Sequence, residues 1–150
     1  MPAHLVRLFF LIFCLCVGQA WAAGPAQVPD IVLDDATPSF QIGNDVANWM
    51  DVGSRASIAD VAADGKRFKL GYDGAQPALN QGDTLWIKLR LRGSVAAPSD
   101  WTLNIPSPLL DSVTIYQRQG SGAWRSQSAG DTLAQADWAA RGLYPDFDLH

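Results

Sequence analysis

The segment Leu85–Arg92, LWIKLRLR, alternates apolar and polar residues through four full periods of two. Leu85, Ile87, Leu89 and Leu91 share one face of an extended chain, and Trp86, Lys88, Arg90 and Arg92 share the other. A helix would scatter those leucines around its axis, so the pattern predicts a half-buried β-strand with its leucine face turned to a core. A strand of this kind needs neighbours for its backbone N–H and C=O groups, and the rest of the chain supplies candidates. Trp101, Leu103 and Ile105 repeat the alternation, as do Val113 and Ile115 against Ser112, Thr114 and Tyr116. Ile31-Val32-Leu33 is a further short strand, ended by Asp34-Asp35 and Pro38. Gly120-Ser121-Gly122 predicts a hairpin turn into Ala123-Trp124-Arg125, and Gly130-Asp131 marks another turn.

One stretch departs from this period. Ser57 is followed three residues later by Asp60, with Ile58, Val61 and Ala62 on one helical face and Gly65 beyond them. This spacing predicts one short helix, capped by Ser57 and stopped at Gly65. Strands about ten residues apart, separated by Gly, Pro and Asp, predict an all-β chain with antiparallel sheets arranged as a sandwich or barrel. All fifteen acidic residues are aspartate, which favours turns and caps over helix interiors and agrees with that class. The pattern Leu143, Phe147, Leu149 resumes a strand just before His150, so the sandwich is expected to be cut short at its C-terminus.

The chain begins with a different kind of segment. Arg7 precedes the apolar run LFFLIFCLCVG and then Ala20-Trp21-Ala22, which reads as a secretory signal peptide over residues 1–22 with cleavage before Ala23. The apolar run is shorter than the roughly 20 residues a membrane-spanning helix needs. Cys14 and Cys16 both lie inside it, so residues 23–150 carry no thiol and no disulfide. That absence suits the bacterial periplasm. Residues 23–30, with Gly24, Pro25 and Pro29, read as a flexible lead-in, and residues 31–150 as one sandwich domain. Loss of Arg7 with the leader moves the formal net charge from −4 to −5, and an acidic chain with scattered cations offers no footprint for nucleic acid or anionic lipid.

The order Trp86-x-Lys88-x-Arg90-Leu91, Trp101–Ile105, Pro108-Leu109-Leu110-Asp111-Ser112-Val113-x-Ile115-Tyr116, Gly122-x-Trp124-Arg125 and Ala129-Gly130-Asp131 resembles one bacterial family. It is similar to the extracellular sensor domain of seven-transmembrane receptors with diverse intracellular signalling modules (7TMR-DISM), of the second type. That family's pattern has a Trp-x-Arg strand, a Pro-Leu-Leu-Asp-x-Val junction and an Ala-Gly-Asp turn. Lys88 stands where the pattern has arginine, and lacks the planar fork of that residue. The resemblance implies a periplasmic jelly-roll-like β-sandwich, shaped like carbohydrate-binding modules. It also implies a position ahead of membrane helices and an output module such as a diguanylate cyclase or histidine kinase, both outside these residues. On this reading the membrane is met only through that downstream region.

Catalysis has little to draw on. Residues 23–150 contain no cysteine, no glutamate and one histidine, His150, so a Ser-His-Asp triad would have to use that terminal residue, no pair of aspartates has a distinctive context for acid–base work, and zinc has no ligand cluster. Asp60–Gly65 lacks the alternating oxygen ligands of a calcium loop. No catalytic residue, metal or cofactor is therefore assigned. The row Trp86, Lys88, Arg90 and Arg92 is the candidate binding surface, an aromatic platform beside three cations that suits a sugar ring, a carboxylate or a phosphate. The competing reading is a solvated face whose cations pair with aspartates on the next strand. The expected partner is a small molecule, a carbohydrate or a periplasmic protein, in a receptor's sensor or else in a secreted carbohydrate-binding or adhesion module. Pro106, Pro108, Leu109, Leu110 and Asp111 form a structural junction: the prolines end one strand, the leucines plug the corner and Asp111 caps the next turn.

Overall fold

The computed structural model describes residues 27–34, 36, 39–71, 79–93, 101–107, 110–140 and 142–149. The leader expected over residues 1–22, with the cleavage site expected at Ala20, Ala22 and Ala23, lies outside them, as do Pro108, Leu109 and His150. Strands dominate, in the order β1 (Asp30–Leu33), β2 (Ala47–Asp51), α1 (Ile58–Ala63), β3 (Lys69–Leu70), β4 (Thr84–Lys88), β5 (Arg90–Gly93), β6 (Trp101–Asn104), β7 (Val113–Gln117), β8 (Arg125–Ala129) and β9 (Asp146–Leu149). A 3-10 turn at Gln135–Asp137 precedes β9. The strands form one three-stranded sheet, β3-β2-β4, and three two-stranded ladders, β1-β5, β6-β9 and β7-β8.

Three of these sheets are antiparallel, but β1 runs parallel to β5, which corrects the purely antiparallel expectation. The strand expected over Leu85–Arg92 is also two strands, interrupted at Leu89. Its first half pairs antiparallel with β2 and its second half parallel with β1, so Leu89 is where the chain leaves one sheet for another. Strands that change sheets at a bend make the corners of packed sheet structures.

The break also changes which face is covered. Trp86 stands opposite Trp49 in the β2–β4 ladder, and both pack on the cluster of Val28, Ala47, Val61 and Phe68. Ile87, expected on the buried face, is 50 % exposed. The indole decides the orientation, because an aromatic ring of that size removes more apolar surface from water than an isoleucine does. Val28 is only 4 % exposed and belongs to this core, and Asp30 opens β1, so the lead-in expected over residues 23–30 is already structured at Val28.

Helix α1 is short because its sequence stops it at both ends. The Ser57 hydroxyl accepts from the Asp60 N–H while the Asp60 carboxylate accepts from the Ser57 N–H, a reciprocal cap. Of its residues only Val61 is buried; Ile58 is half-buried and Ala62 exposed. One buried valine contributes about 1.5–3 kcal/mol, so the helix is held by its docking on Phe68 and Ala47 rather than by its own propensity.

Hydrogen bonds tie the β7–β8 hairpin to β9 and to the Leu110–Ser112 junction. Two glutamines bridge it to β9: Gln117 Nε2 and Gln127 Nε2 each donate to the Asp148 carbonyl at 2.8 Å, and the Asp148 N–H donates to Gln127 Oε1 at 3.3 Å. Side-chain amides thus satisfy backbone groups of β9 that another strand would otherwise take. At the base of the hairpin, the Asp131 N–H donates to the Leu110 carbonyl at 3.0 Å, and the Thr132 N–H and hydroxyl donate to the Asp111 carbonyl at 2.9 and 2.8 Å. Gly130, with φ +127°, lies so close to Asp111 and Ser112 that a Cβ there would stand 2.6 Å from the Asp111 carbonyl oxygen. Leu110 is half-buried, Pro106 exposed, and Asp111 acts through its carbonyl.

Candidate functional site

The sequence row Trp86, Lys88, Arg90 and Arg92 is divided by the bend at Leu89. Trp86 is half-buried, with its ring 5.9 Å from that of Tyr116. Lys88 places its ammonium 5.6 Å from the Phe68 ring centroid. Arg90 and Arg92 converge on one carboxylate: Arg90 Nε is 3.1 Å from Asp30 Oδ1 and Arg92 Nη2 is 2.7 Å from Asp30 Oδ2. The parallel register explains this convergence, since Asp30 is aligned with Arg90 at the start of the ladder. Both guanidinium groups are more than half exposed, so each pair contributes no more than about 1 kcal/mol. The row is therefore two separate arrangements, one aromatic and one ionic, and Asp30 already occupies the ionic one.

Beside the aromatic part lies a buried carboxylate, Asp51, at the end of β2. The Ala56 N–H, 2.8 Å from its Oδ2, holds the carboxyl below its ordinary value, with the Arg55 N–H and the charge of Arg67 acting in the same direction against the cost of burial. The Trp86 indole N–H lies in the field of this carboxylate without a hydrogen bond of normal geometry. Asp51 closes the turn that leads to α1, a structural use of an ionised group.

The remaining tryptophans divide by environment. Trp49 packs edge-on against Phe68 with the Arg67 guanidinium 4.9 Å above its ring, and Trp101 lies 6.0 Å from Phe40. Trp138 is half-buried. Trp124 is exposed, just before β8, and the Arg118 guanidinium sits 4.4 Å over its ring. Next to it, at the turn end of the β7–β8 hairpin, an open cleft of about 360 Å³ is lined by Gln117, Arg118, Gln119, Gly122, Ala123 and Arg125. Among the described residues neither Arg118 nor Arg125 has a carboxylate within ion-pair distance.

Strand reasoning missed this place because Arg118 and Arg125 belong to no alternating row. A signal was present, however. Gln117 and Arg125 are the last ladder pair, so a hairpin turning at Gly120–Gly122 must bring Arg118, Trp124 and Arg125 to one end. Among the described residues no group of three or more His, Cys, Asp or Glu side chains is placed to hold a metal, and no helix is long and apolar enough to cross a membrane.

The family model for the 7TMR-DISM extracellular 2 domain matches residues 43–149, a span from the loop before β2 to the end of β9. Both segments that meet at the hairpin base, Leu110–Ser112 and Ala129–Asp131, fall inside it. No curated protein and no solved structure matches the chain.

Proposed function

The chain belongs to the 7TMR-DISM extracellular 2 family, and from that membership we propose that it is the ligand-sensing domain of a bacterial membrane signalling receptor. The match over residues 43–149 carries this reading, since it takes in every strand from β2 to β9. The family's description puts the domain on the extracellular or periplasmic side of the membrane, where sensing proceeds by binding rather than by catalysis. In our reading residues 1–22 direct export, the small sheets belong to a jelly-roll-like sandwich shaped like a carbohydrate-binding module, and a cytoplasmic output follows a membrane region. The ligand is a small molecule or carbohydrate. The row Trp86, Lys88, Arg90 and Arg92 then serves as framework, because Asp30 neutralises two of its cations and the core and Tyr116 engage its indole.

Extending the reading frame past His150 tests the receptor assignment directly. About seven apolar spans followed by a signalling module are expected. A stop codon directly after His150, with secretion of a free domain that binds polysaccharide, would replace it with a carbohydrate-binding or adhesion module.

A further inference from the structure

We propose that the cleft at the turn end of the β7–β8 hairpin is the ligand site of this sensor domain, and that it takes a carboxylate-bearing ligand of monosaccharide size. The inference rests on the sensing role proposed above and adds the place and the chemistry.

Three observations converge on it. Arg118 and Arg125 line the same cleft of about 360 Å³, a volume at the small end of the range of ligand pockets. Neither is paired with a carboxylate among the described residues, although aspartate is plentiful in this chain, and Arg90 and Arg92 show how closely such pairs form when an aspartate is aligned with them. The Arg118 guanidinium carbon lies 4.4 Å over the Trp124 ring, a cation–π contact that restrains the side chain without using its N–H donors. An arginine held in this way presents the fork that a carboxylate accepts bidentately, with less side-chain entropy to lose on binding. Gln119 adds an amide to the lining, and Gly122 and Ala123 add little side-chain bulk to it. Gln117 joins the cleft to β9, because its amide also donates to the Asp148 carbonyl. Occupancy of the cleft thus bears on a hydrogen bond between the hairpin and β9.

Isothermal titration of the full exported chain with D-galacturonate, D-galactose and D-glucose 6-phosphate tests the proposal. Galacturonate and galactose differ at the carboxylate, so galacturonate is expected to bind at least about tenfold more tightly, as one charge-assisted pair allows. Arg118→Ala and Arg125→Ala should each weaken galacturonate binding by about tenfold or more. Arg118→Lys, which keeps the charge and loses the fork, should fall between Arg118→Ala and the natural chain. Trp124 is a positioning residue, so Trp124→Phe should keep most of the affinity while Trp124→Leu loses it, a rescue that a merely structural role would not give. Raising ionic strength from about 0.05 to about 0.5 M should weaken binding in the natural chain and leave the Arg118→Ala, Arg125→Ala double variant unaffected. Equal affinity for galactose, unchanged affinity in both arginine variants, no heat with any of the three probes, or tighter binding of glucose 6-phosphate with the same arginine dependence would each overturn the carboxylate site. None of these results touches the receptor assignment, which the reading frame past His150 decides separately. Thermal melts of each variant verify that it is folded before titration.

Discussion

Each end of the β7–β8 hairpin has a glycine turn, beside the apolar pair Val113 and Ala129 at the base and the polar pair Gln117 and Arg125 at the tip, and the two turns are put to opposite uses. At the base, the Gly130 turn is pressed against the Leu110–Ser112 junction, and its backbone is bonded to two carbonyls there. At the tip, the Gly120–Gly122 turn makes one local bond, from the Gly122 N–H to the Gln119 carbonyl at 2.9 Å, and Arg118, Trp124 and Arg125 remain open. The base holds residues that carry the family resemblance, and the tip holds two arginines with no carboxylate partner among the described residues, beside a cleft. Recurring sequence motifs can mark where a fold is locked together, while recognition chemistry sits on the freer end of the same element.

The sharpest way to break this contrast is Gly130→Ala. An alanine Cβ would meet the Asp111 carbonyl oxygen at 2.6 Å and the Ser112 Cα at 2.8 Å, both backbone atoms that cannot swing aside, at a φ of +127° that L-residues rarely adopt. Strained backbone of this kind costs about 1–3 kcal/mol before the clash is counted, so a loss of about 3 kcal/mol or more is expected in urea unfolding. A loss below about 1 kcal/mol would mean that the base is not locked as described. Leu110→Ala removes a half-buried side chain at the same contact, and about 1–2 kcal/mol is the expected cost in the same measurement. A cost near zero would show that the junction is held by its backbone bonds alone.

The same contrast explains which parts of the fold could be read in advance. Short-range features were legible: the Ser57–Asp60 cap, the strands at Asp30–Leu33, Trp101–Asn104 and Val113–Gln117, and the turns at Gly120 and Gly130 all follow from neighbouring residues. Pairing between distant segments was not. Nothing local in LWIKLRLR says that its halves join different strands, because alternation reports an extended chain and not its neighbour. The parallel β1–β5 ladder and the role of Asp30 depend on that switch, so the ionic part of the cation row looked free. The Gln117 and Gln127 bonds to β9 are likewise invisible in a sequence, since a glutamine in a strand carries no sign of the backbone it will meet.

Asp30 offers a control for the tip, with a smaller expected effect. Asp30→Asn releases Arg90 and Arg92 from their shared carboxylate, and the two pairs are exposed enough that stability should fall by less than about 1 kcal/mol in thermal or urea unfolding. Among the described residues no indole lies over either released arginine, whereas Arg118 sits over Trp124. The variant should therefore gain no measurable affinity for galacturonate. Binding at the freed pair as tight as at the tip would show that unpaired arginine alone is sufficient, and the ordering by Trp124 would lose its significance.

The smallest change in stability is expected at the tip itself. Arg118→Gln removes one face of the Arg118–Trp124 contact and a charge that no carboxylate balances among the described residues, so the cost should lie within about 0.5 kcal/mol of zero. Thermal melts of this variant beside Gly130→Ala place the two ends of one hairpin on a common scale. If the tip proved as costly as the base, the Arg118–Trp124 stack would be a structural contact and the cleft a by-product of it. A near-silent melt combined with lost galacturonate binding separates the ends as proposed, because a residue that matters to binding and hardly to folding is one whose interactions are completed by the ligand.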